Sequence, residues 1–280
     1  MREVGSKPFS VGRIGVYSAL VFFSLCALFP LYWMFVIGSN HTSAVSQFPP
    51  AIMPGTEFFV NAGKVFTNIN FLQALFNTFI VASLITISVL FFCSLAGFAF
   101  AKLKFRGRNG LFIFVLATMM VPAQLGLIPS YMIVSQLGWI NTLTALIVPA
   151  MVNAFGVFWM RQYISSAVPN ELIDAGRMDG CSNFRLYWTV VLPILRPALA
   201  TLGLITFMNV WNDFLWPLVV LKDRSVHTIQ VALKTLNGTY AQDYSMVLNG
   251  TFLATLPLLV IFLLFSKQVI AGITEGAIKS

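Results

Sequence analysis

The 280-residue sequence is 58% hydrophobic and only 9% charged, against roughly 25% charge in a soluble domain, which excludes an ordinary soluble globular protein. Its net charge of +8 does not point to nucleic acid, because the basic residues stand in short loops beside apolar runs, the pattern that orients membrane helices. Cys26 and Cys93 lie in apolar runs and Cys181 in a polar loop, which offers neither a disulfide framework nor a metal spacing.

A bilayer core about 30 Å thick takes roughly 20 apolar residues per helix. Residues 14–40 carry no charge. The stretch Ile14–Gly38 is too long for a signal-peptide core and no A-x-A site follows, so it reads as a retained first span containing Pro30. The external stretch 41–70 holds turn signals at Pro49-Pro50 and Pro54-Gly55. Residues 65–101 are again uncharged and would make about 55 Å of helix, too long for one crossing. The expectation is an interfacial segment over 65–70 and span two over 77–101. Residues 109–160 lack charge and would run about 78 Å, enough for two crossings. Leu137-Gly138-Trp139-Ile140-Asn141 is the turn between them, with Asn141 opening the next helix. Spans three and four then lie near 110–136 and 141–161. A cytoplasmic loop covers 162–196, and spans five and six lie near 198–220 and 245–266.

Six spans put both termini on one side. That side holds thirteen of the seventeen basic residues, including Arg2, Lys7, Arg13, Arg177, Lys267 and Lys279; the other holds Lys64, Lys222, Arg224 and Lys234. The asymmetry places both termini in the cytoplasm. The fold expected is all-α, a single polytopic domain over 1–280 with six transmembrane helices.

The cytoplasmic loop is organised. Asn170 after Pro169 can cap a helix, Glu171 and Asp174 suit its positive end, and Gly180 can stop it. Ser182 can cap a second short helix, and Pro193 and Pro197 lead into span five. Leu172, Ala175, Gly176 and Asp179 fall at i, i+3, i+4 and i+7 and share one side, with small residues in the middle that permit close approach of another surface. The same segment also reads as a solvated connector in which Asp174 and Arg177 pair locally.

The run from Asn170 to Leu199 closely resembles the cytoplasmic "EAA" loop of ATP-binding-cassette importer permeases. Asp174-Ala175-Gly176 stand at Glu-Ala-Ala, Asp179-Gly180 at Asp-Gly and Leu192-Pro193 at Leu-Pro. Trp211–Leu218, the tail Gly272–Lys279 and the external segment Phe66–Thr78 resemble the maltose-type carbohydrate permeases, second subunit of the pair. Two positions depart: Asp174 is one carbon shorter than Glu, and Gly176 replaces Ala and weakens the helix. The resemblance implies a type I importer permease in the bacterial or archaeal cytoplasmic membrane. In such a protein the first loop helix, with Glu171, Asp174, Ala175, Gly176, Asp179 and Gly180, and Leu192 and Pro193 after it, couples to ATPase subunits. It implies as partners a second homologous permease, two ATP-binding-cassette ATPases, an extracytoplasmic solute-binding protein, soluble or lipid-anchored, and membrane lipid. The cargo it implies is a sugar or oligosaccharide, with glycerol phosphate or a polyol as the alternative. The chain itself has no GxxxxGK[ST] and so no cradle for nucleotide phosphates. It is expected to be no enzyme and to carry no cofactor, with ATP and Mg on the partner ATPases.

Candidate pathway residues are the polar and aromatic groups inside spans: Asn209, Trp211, Asn212 and Asp213 in span five, Gln124 in span three and Asn153 in span four. Trp211 can stack on a sugar face or anchor at the interface, and the amides can bond hydroxyls or neighbouring helices. Asp213 is the one ionisable residue well inside a span, which keeps an ion-coupled transporter as a rival. A channel or scaffold is a third class, though no selectivity-filter pattern is present. Pro122 and Pro129 kink span three or serve gating. Lys102, Lys104, Arg106 and Arg108 set orientation and meet anionic headgroups. His41 and His227 fall in external loops without a metal partner.

Overall fold

The computed structural model describes residues 11–237 and 243–277, with side chains for 15–237 and 243–266. Every regular element among them is helical. The first three long elements are α1 (Val11–Gly38), α2 (Phe58–Asn68) and α3 (Phe71–Lys102). Next come α4 (Arg108–Met119), α5 (Leu127–Gln136), α6 (Thr144–Ala150), α7 (Ala154–Ala167) and α8 (Asn170–Met178). The chain continues through α9 (Asn183–Leu186), a π-helical turn (Tyr187–Val191), α10 (Leu192–Ile194), α11 (Arg196–Trp211), α12 (Leu215–Val220), α13 (Ile229–Lys234) and α14 (Tyr244–Ala277). Ile278 and Lys279 of the tail, and Arg2 and Lys7 of the basic tally, lie outside the described residues, as do the side chains of Arg13, Lys267 and Gly272–Ala277.

Among the described residues four stretches are long and apolar enough to cross a membrane: Gly15–Gly38, Phe71–Lys102, Thr144–Ala167 and Tyr244–Ser266. Two bent pairs raise this to six if each is one crossing: Arg108–Met119 with Ala123–Gln136, at 93°, and Asn183–Ile194 with Arg196–Trp211, at 80°. The sequence reads as one domain; the fold gathers it into two compact units, Met1–Asn68 with Leu236–Leu253, and Ile69–Thr235 with Ala254–Ser280.

In the first unit Pro30 sits inside α1 without ending it. Leu20, Phe22, Phe23 and Leu25 of α1 are all exposed, as befits a helix apolar all round that is solvated by lipid. The stretch 41–70 is more ordered than its turn signals suggest, since α2 covers most of the segment expected to lie flat at the interface. The Gly38 carbonyl at the end of α1 accepts from Asn61 Nδ2 at 3.1 Å and Asn249 Nδ2 at 3.0 Å. A Cβ on Gly38 would lie 2.9 Å from the Asn249 backbone, so only glycine allows this approach. Lys64 and Asp243 form an ion pair at 3.1 Å.

The second unit is built on α3, which packs along α7 and α11. A Cβ at Gly97 would lie 2.8 Å from the Arg161 amide nitrogen and from Met160 Cβ, and one at Gly156 would lie 2.8 Å from Cys93 Sγ. Small residues set this close crossing, as they do between membrane helices generally.

Five boundaries differ from expectation. The second span begins at Phe71 rather than Asn77, because Asn77 and Thr78 are internal ties and not a polar edge. Asn77 Nδ2 donates to the Ser225 and His227 carbonyls, each at 3.0 Å, and Thr78 Oγ1 accepts from Ile229 N at 2.8 Å. The third span breaks before Pro122, where the residue ahead of a proline leaves the helical region; Pro129 lies in the first turn of α5, where no N–H is needed, and bends nothing. Asn141 does not open a helix. It takes φ +64°, a conformation Asn tolerates, and its Oδ1 accepts from the Lys222 and Asp223 amides, both at 2.9 Å. The fourth span is two helices, α6 and α7, and α7 runs on to Ala167, so the loop expected from 162 opens at Val168; Arg161 stays helical by laying its guanidinium over Phe112, 4.5 Å from the ring centre. The fifth span ends at Trp211, because Asn212 Nδ2 turns back to the Met208 carbonyl at 2.8 Å, and α12 starts afresh.

The loop between α12 and α13 carries a pH dependence. Burial holds the His227 imidazole below its ordinary pKa; the Lys222 main chain opposes this, Arg224 adds to it and Asp223 opposes it. Unfolding therefore takes up a proton below about pH 6.5, so the loop's stability is full above that value and falls as pH drops through the depressed one. Protection of the Ile229 amide from hydrogen exchange, corrected for intrinsic rate, is expected to fall between about pH 7.5 and 5.5; flat protection would contradict it.

Candidate functional site

Two places in the second unit gather the residues that the sequence singles out. The first is the loop after α7, expected from the charge asymmetry to be cytoplasmic. Pro169, at φ −62° and ψ 145°, precedes α8, so Asn170 is the first helical residue and not the cap. Its Oδ1 instead accepts from Lys102 Nζ at 2.8 Å, tying α8 to the end of α3. Glu171 lies in the first turn, where a carboxylate meets the positive helix end. Gly180 takes φ +76° just past the helix and the Cys181 amide donates back to the Gly176 carbonyl at 2.9 Å, a glycine stop. Ser182 Oγ caps α9 by accepting from Arg185 N at 3.3 Å.

The faces of α8 differ from the sequence expectation. Ile173 is buried and Gly176 turns inward with it, where a Cβ would overlap the Leu186 side chain of the same chain. The small residue thus admits a neighbour from this chain and not an outside surface. The open side carries Leu172, Ala175, Met178 and Asp179, with Met178 85% exposed. Met178 is the residue that sequence reasoning missed; its apolar character at i+3 from Ala175 was the available signal. Among the described residues Asp174 pairs with Arg177 alone, at 3.5 Å, and both are well exposed. Leu192 and Pro193 stand on another element, α10. There the ladder slips to i−5, with Leu192 N–H donating to the Tyr187 carbonyl, because Pro193 has no N–H to offer the Thr189 carbonyl.

The second place is a cavity of about 410 Å³. Gln124, Gly126 and Ser130 line it beside the break between α4 and α5, Pro149 and Ala150 at the end of α6, and Asp213, Leu215 and Trp216 at the start of α12. Three helix breaks therefore converge on one space. Non-helical backbone at membrane depth is tolerated where it is buried in protein or lines such a cavity. The Asp213 carboxylate faces the backbone N–H groups of Phe214, Leu215 and Trp216. Trp216 Nε1 donates to the Ala145 carbonyl at 3.0 Å and fixes α12 against α6.

Of the six pathway candidates the structure brings together Gln124 and Asp213. Asn153 caps α7, accepting from Gly156 N at 2.7 Å. Trp211 is 2% exposed and stacked on Phe207, with ring centres 5.6 Å apart; it has no free face for a sugar and does not stand at a lipid interface. Asn212 is exposed and shares its amide between Met208 and Gln230, and Asn209 is exposed on α11. Ser130 and Trp216 are additional wall residues; Trp216 lies within the Trp211–Leu218 segment quoted for its resemblance. Among the described residues no cluster of three His, Cys, Asp or Glu is arranged for a metal.

Residues 93–269 match the model of the family described as binding-protein-dependent transport system inner membrane component. The chain is 32% identical over 282 residues to the arabinooligosaccharides transport system permease protein of Bacillus subtilis, covering 98% of each. It is 33% identical to the lactose transport system permease protein of Rhizobium radiobacter, over 94% of this chain and 95% of that one. It is 29% identical to the sn-glycerol-3-phosphate transport system permease protein of Yersinia enterocolitica, over 90% and 92%. In fold it is similar to a chain of a bacterial ABC transporter involved in the import of the acidic polysaccharide alginate, with a TM-score of 0.80 and 24% identity over 94% of this chain and 99% of that one.

Proposed function

The chain belongs to the family of binding-protein-dependent transport system inner membrane components, and on that premise we propose that it is the sugar- or oligosaccharide-conducting permease subunit of an ATP-driven importer. It pairs with a second, homologous permease and lies in a bacterial or archaeal cytoplasmic membrane with six crossings and both termini inside. One of two ATPase subunits binds its α8, through Glu171, Leu172, Asp174, Ala175, Met178 and Asp179, and the pair supplies the ATP and Mg chemistry. An extracytoplasmic binding protein delivers the solute. Closure of the ATPases moves α8, and the broken helices around the cavity switch between two packings that open to opposite sides.

The observation that carries this reading is the convergence of three helix breaks on a cavity holding Gln124, Ser130 and Asp213. The wall supplies amide, hydroxyl and carboxylate groups that bond sugar hydroxyls, with apolar surface between them. None of its described wall residues is Lys or Arg. A phosphate ester would meet the Asp213 carboxylate without a compensating cation, so the wall favours a neutral polyhydroxylated cargo over glycerol phosphate.

The test is uptake by cells carrying the intact transporter, with labelled arabinose and galactose oligosaccharides and glycerol 3-phosphate offered separately. The reading predicts saturable uptake of a neutral oligosaccharide, and Asp213→Ala is expected to lower it about tenfold or more, the cost of a hydrogen bond to a charged group, with ATPase subunits still bound. Uptake of glycerol 3-phosphate alone would overturn the cargo assignment.

A further inference from the structure

The coupling loop and the cavity are different places, and a continuous set of contacts joins them. On the loop side α8 rests through Gly176 on Leu186, the residue before Tyr187. Tyr187 opens the π-helical turn and is 1% exposed. Its hydroxyl lies 2.7 Å from Ser94 Oγ on α3, which is fully buried. Ser94 Oγ also lies 2.5 Å from the Leu90 carbonyl. A serine has one hydrogen to give, and a carbonyl can only accept, so Ser94 donates to Leu90 and Tyr187 donates to Ser94. The adjacent Cys93 touches the far element: its Sγ lies 3.5 Å from the Asn153 carbonyl, and it fills the space that a side chain on Gly156 would need. Asn153 caps α7 directly after the break that follows Pro149 and Ala150, which are cavity wall.

We propose that Tyr187 is a positioning residue that couples α8 to the cavity through its hydrogen bond to Ser94, with α3 carrying the displacement from Ser94 to Cys93 and on to the break at 151–153. Three features favour this route. Among the described residues Tyr187 is the one side chain of the π-helical turn that hydrogen-bonds to α3, while its ring packs on Phe98 of the same helix, so the phenol O–H is the single polar attachment. The turn itself is an irregular ladder, a segment able to change register at low cost. Both ends of the link are packed against glycines, at Gly176 and Gly156, so neither contact has slack. Ser94 keeps its bond to Leu90 when the phenol is lost, so removing the Tyr187 hydroxyl cuts the polar link, leaves the ring contact with Phe98 in place and orphans no buried group.

This inference rests on the ATP-driven reading, and the test separates the two. The assembled transporter in lipid vesicles is given the reporter Ser130→Cys, in a background carrying Cys26→Ala and Cys181→Ala. The rate of thiol modification in the cavity by a charged methanethiosulfonate is read with and without Mg-ATP, alongside ATPase subunit content. In the unaltered relay the rate depends on nucleotide. Tyr187→Phe is expected to shrink that dependence about fivefold with ATPase content unchanged. Ser94→Ala is expected to do the same, Ser94→Thr to restore most of it, and Tyr187→Phe with Ser94→Ala to be no worse than either alone. A full nucleotide response in Tyr187→Phe overturns the relay and leaves the importer reading intact. Loss of bound ATPase in Tyr187→Phe overturns it as well, assigning the residue to loop folding. Absence of any nucleotide response in the unaltered relay overturns the ATP-driven reading itself.

Discussion

Asp174→Arg is expected to abolish ATP-driven uptake and to release the ATPase subunits, while the chain stays folded in the membrane. Among the described residues Asp174 pairs with Arg177 alone, at 3.5 Å, with 68% of its side chain exposed. An exposed ion pair of this kind contributes at most about 1 kcal/mol, so reversal costs the fold little. At a desolvated contact with a partner, the wrong charge costs about 2–5 kcal/mol, roughly 30-fold or more in affinity. Fold and docking therefore separate, and ATPase retained by the detergent-extracted complex measures the second alone. Retention at the wild-type level would contradict the docking role of α8. Gly176→Trp, a natural choice from the motif, is a poorer probe: its side chain collides with Leu186 of the same chain, and the loop is lost for internal reasons.

Gly97→Leu is expected to abolish folding of the second unit. Gly97 is buried where α3 crosses α7, and its Cβ would stand 2.8 Å from the Arg161 amide nitrogen and Met160 Cβ. Overpacking a core costs about 1–3 kcal/mol when side chains can turn aside. Here an obstacle is backbone, so the helices must part along a seam that also holds Gly156 on Cys93. The expected result is loss of the monodisperse species in detergent and a large drop in yield, with Gly97→Ala intermediate. A wild-type elution profile and melting temperature for Gly97→Leu would contradict the close crossing.

The apolar runs were legible because a bilayer imposes length and composition directly: α1, and the 244–266 part of α14, fall where uncharged stretches alone put them. The loop helix was legible too, through Pro169, Glu171 and Gly180, whose roles are local. Of the breaks, only the one at Pro122 was legible. Uncharged windows see hydropathy, and the interruptions at 151–153 and 212–214 are matters of local hydrogen bonding. Asn212 reads like any polar span residue until its amide is seen to turn back on Met208. The two tryptophans flanking it are equivalent in sequence. The break between them sends Trp211 into the core against Phe207 and leaves Trp216 in the cavity wall. Gly176 shows the same limit in another form. Helical spacing places it on a face with Ala175, but only the chain's return through Leu186 decides that this part of the helix is taken.

The most direct measurement is purification of the tagged, full-length chain in mild detergent, followed by identification and quantification of what accompanies it. A docked coupling helix and a shared cavity predict a homologous permease at one copy and an ATP-binding-cassette ATPase at two, the ATPase lost with Asp174→Arg and kept with Asp213→Ala. Recovery of this chain alone, under conditions that preserve other transporters of this kind, would contradict ATP-driven coupling and leave the cavity to an independent transporter.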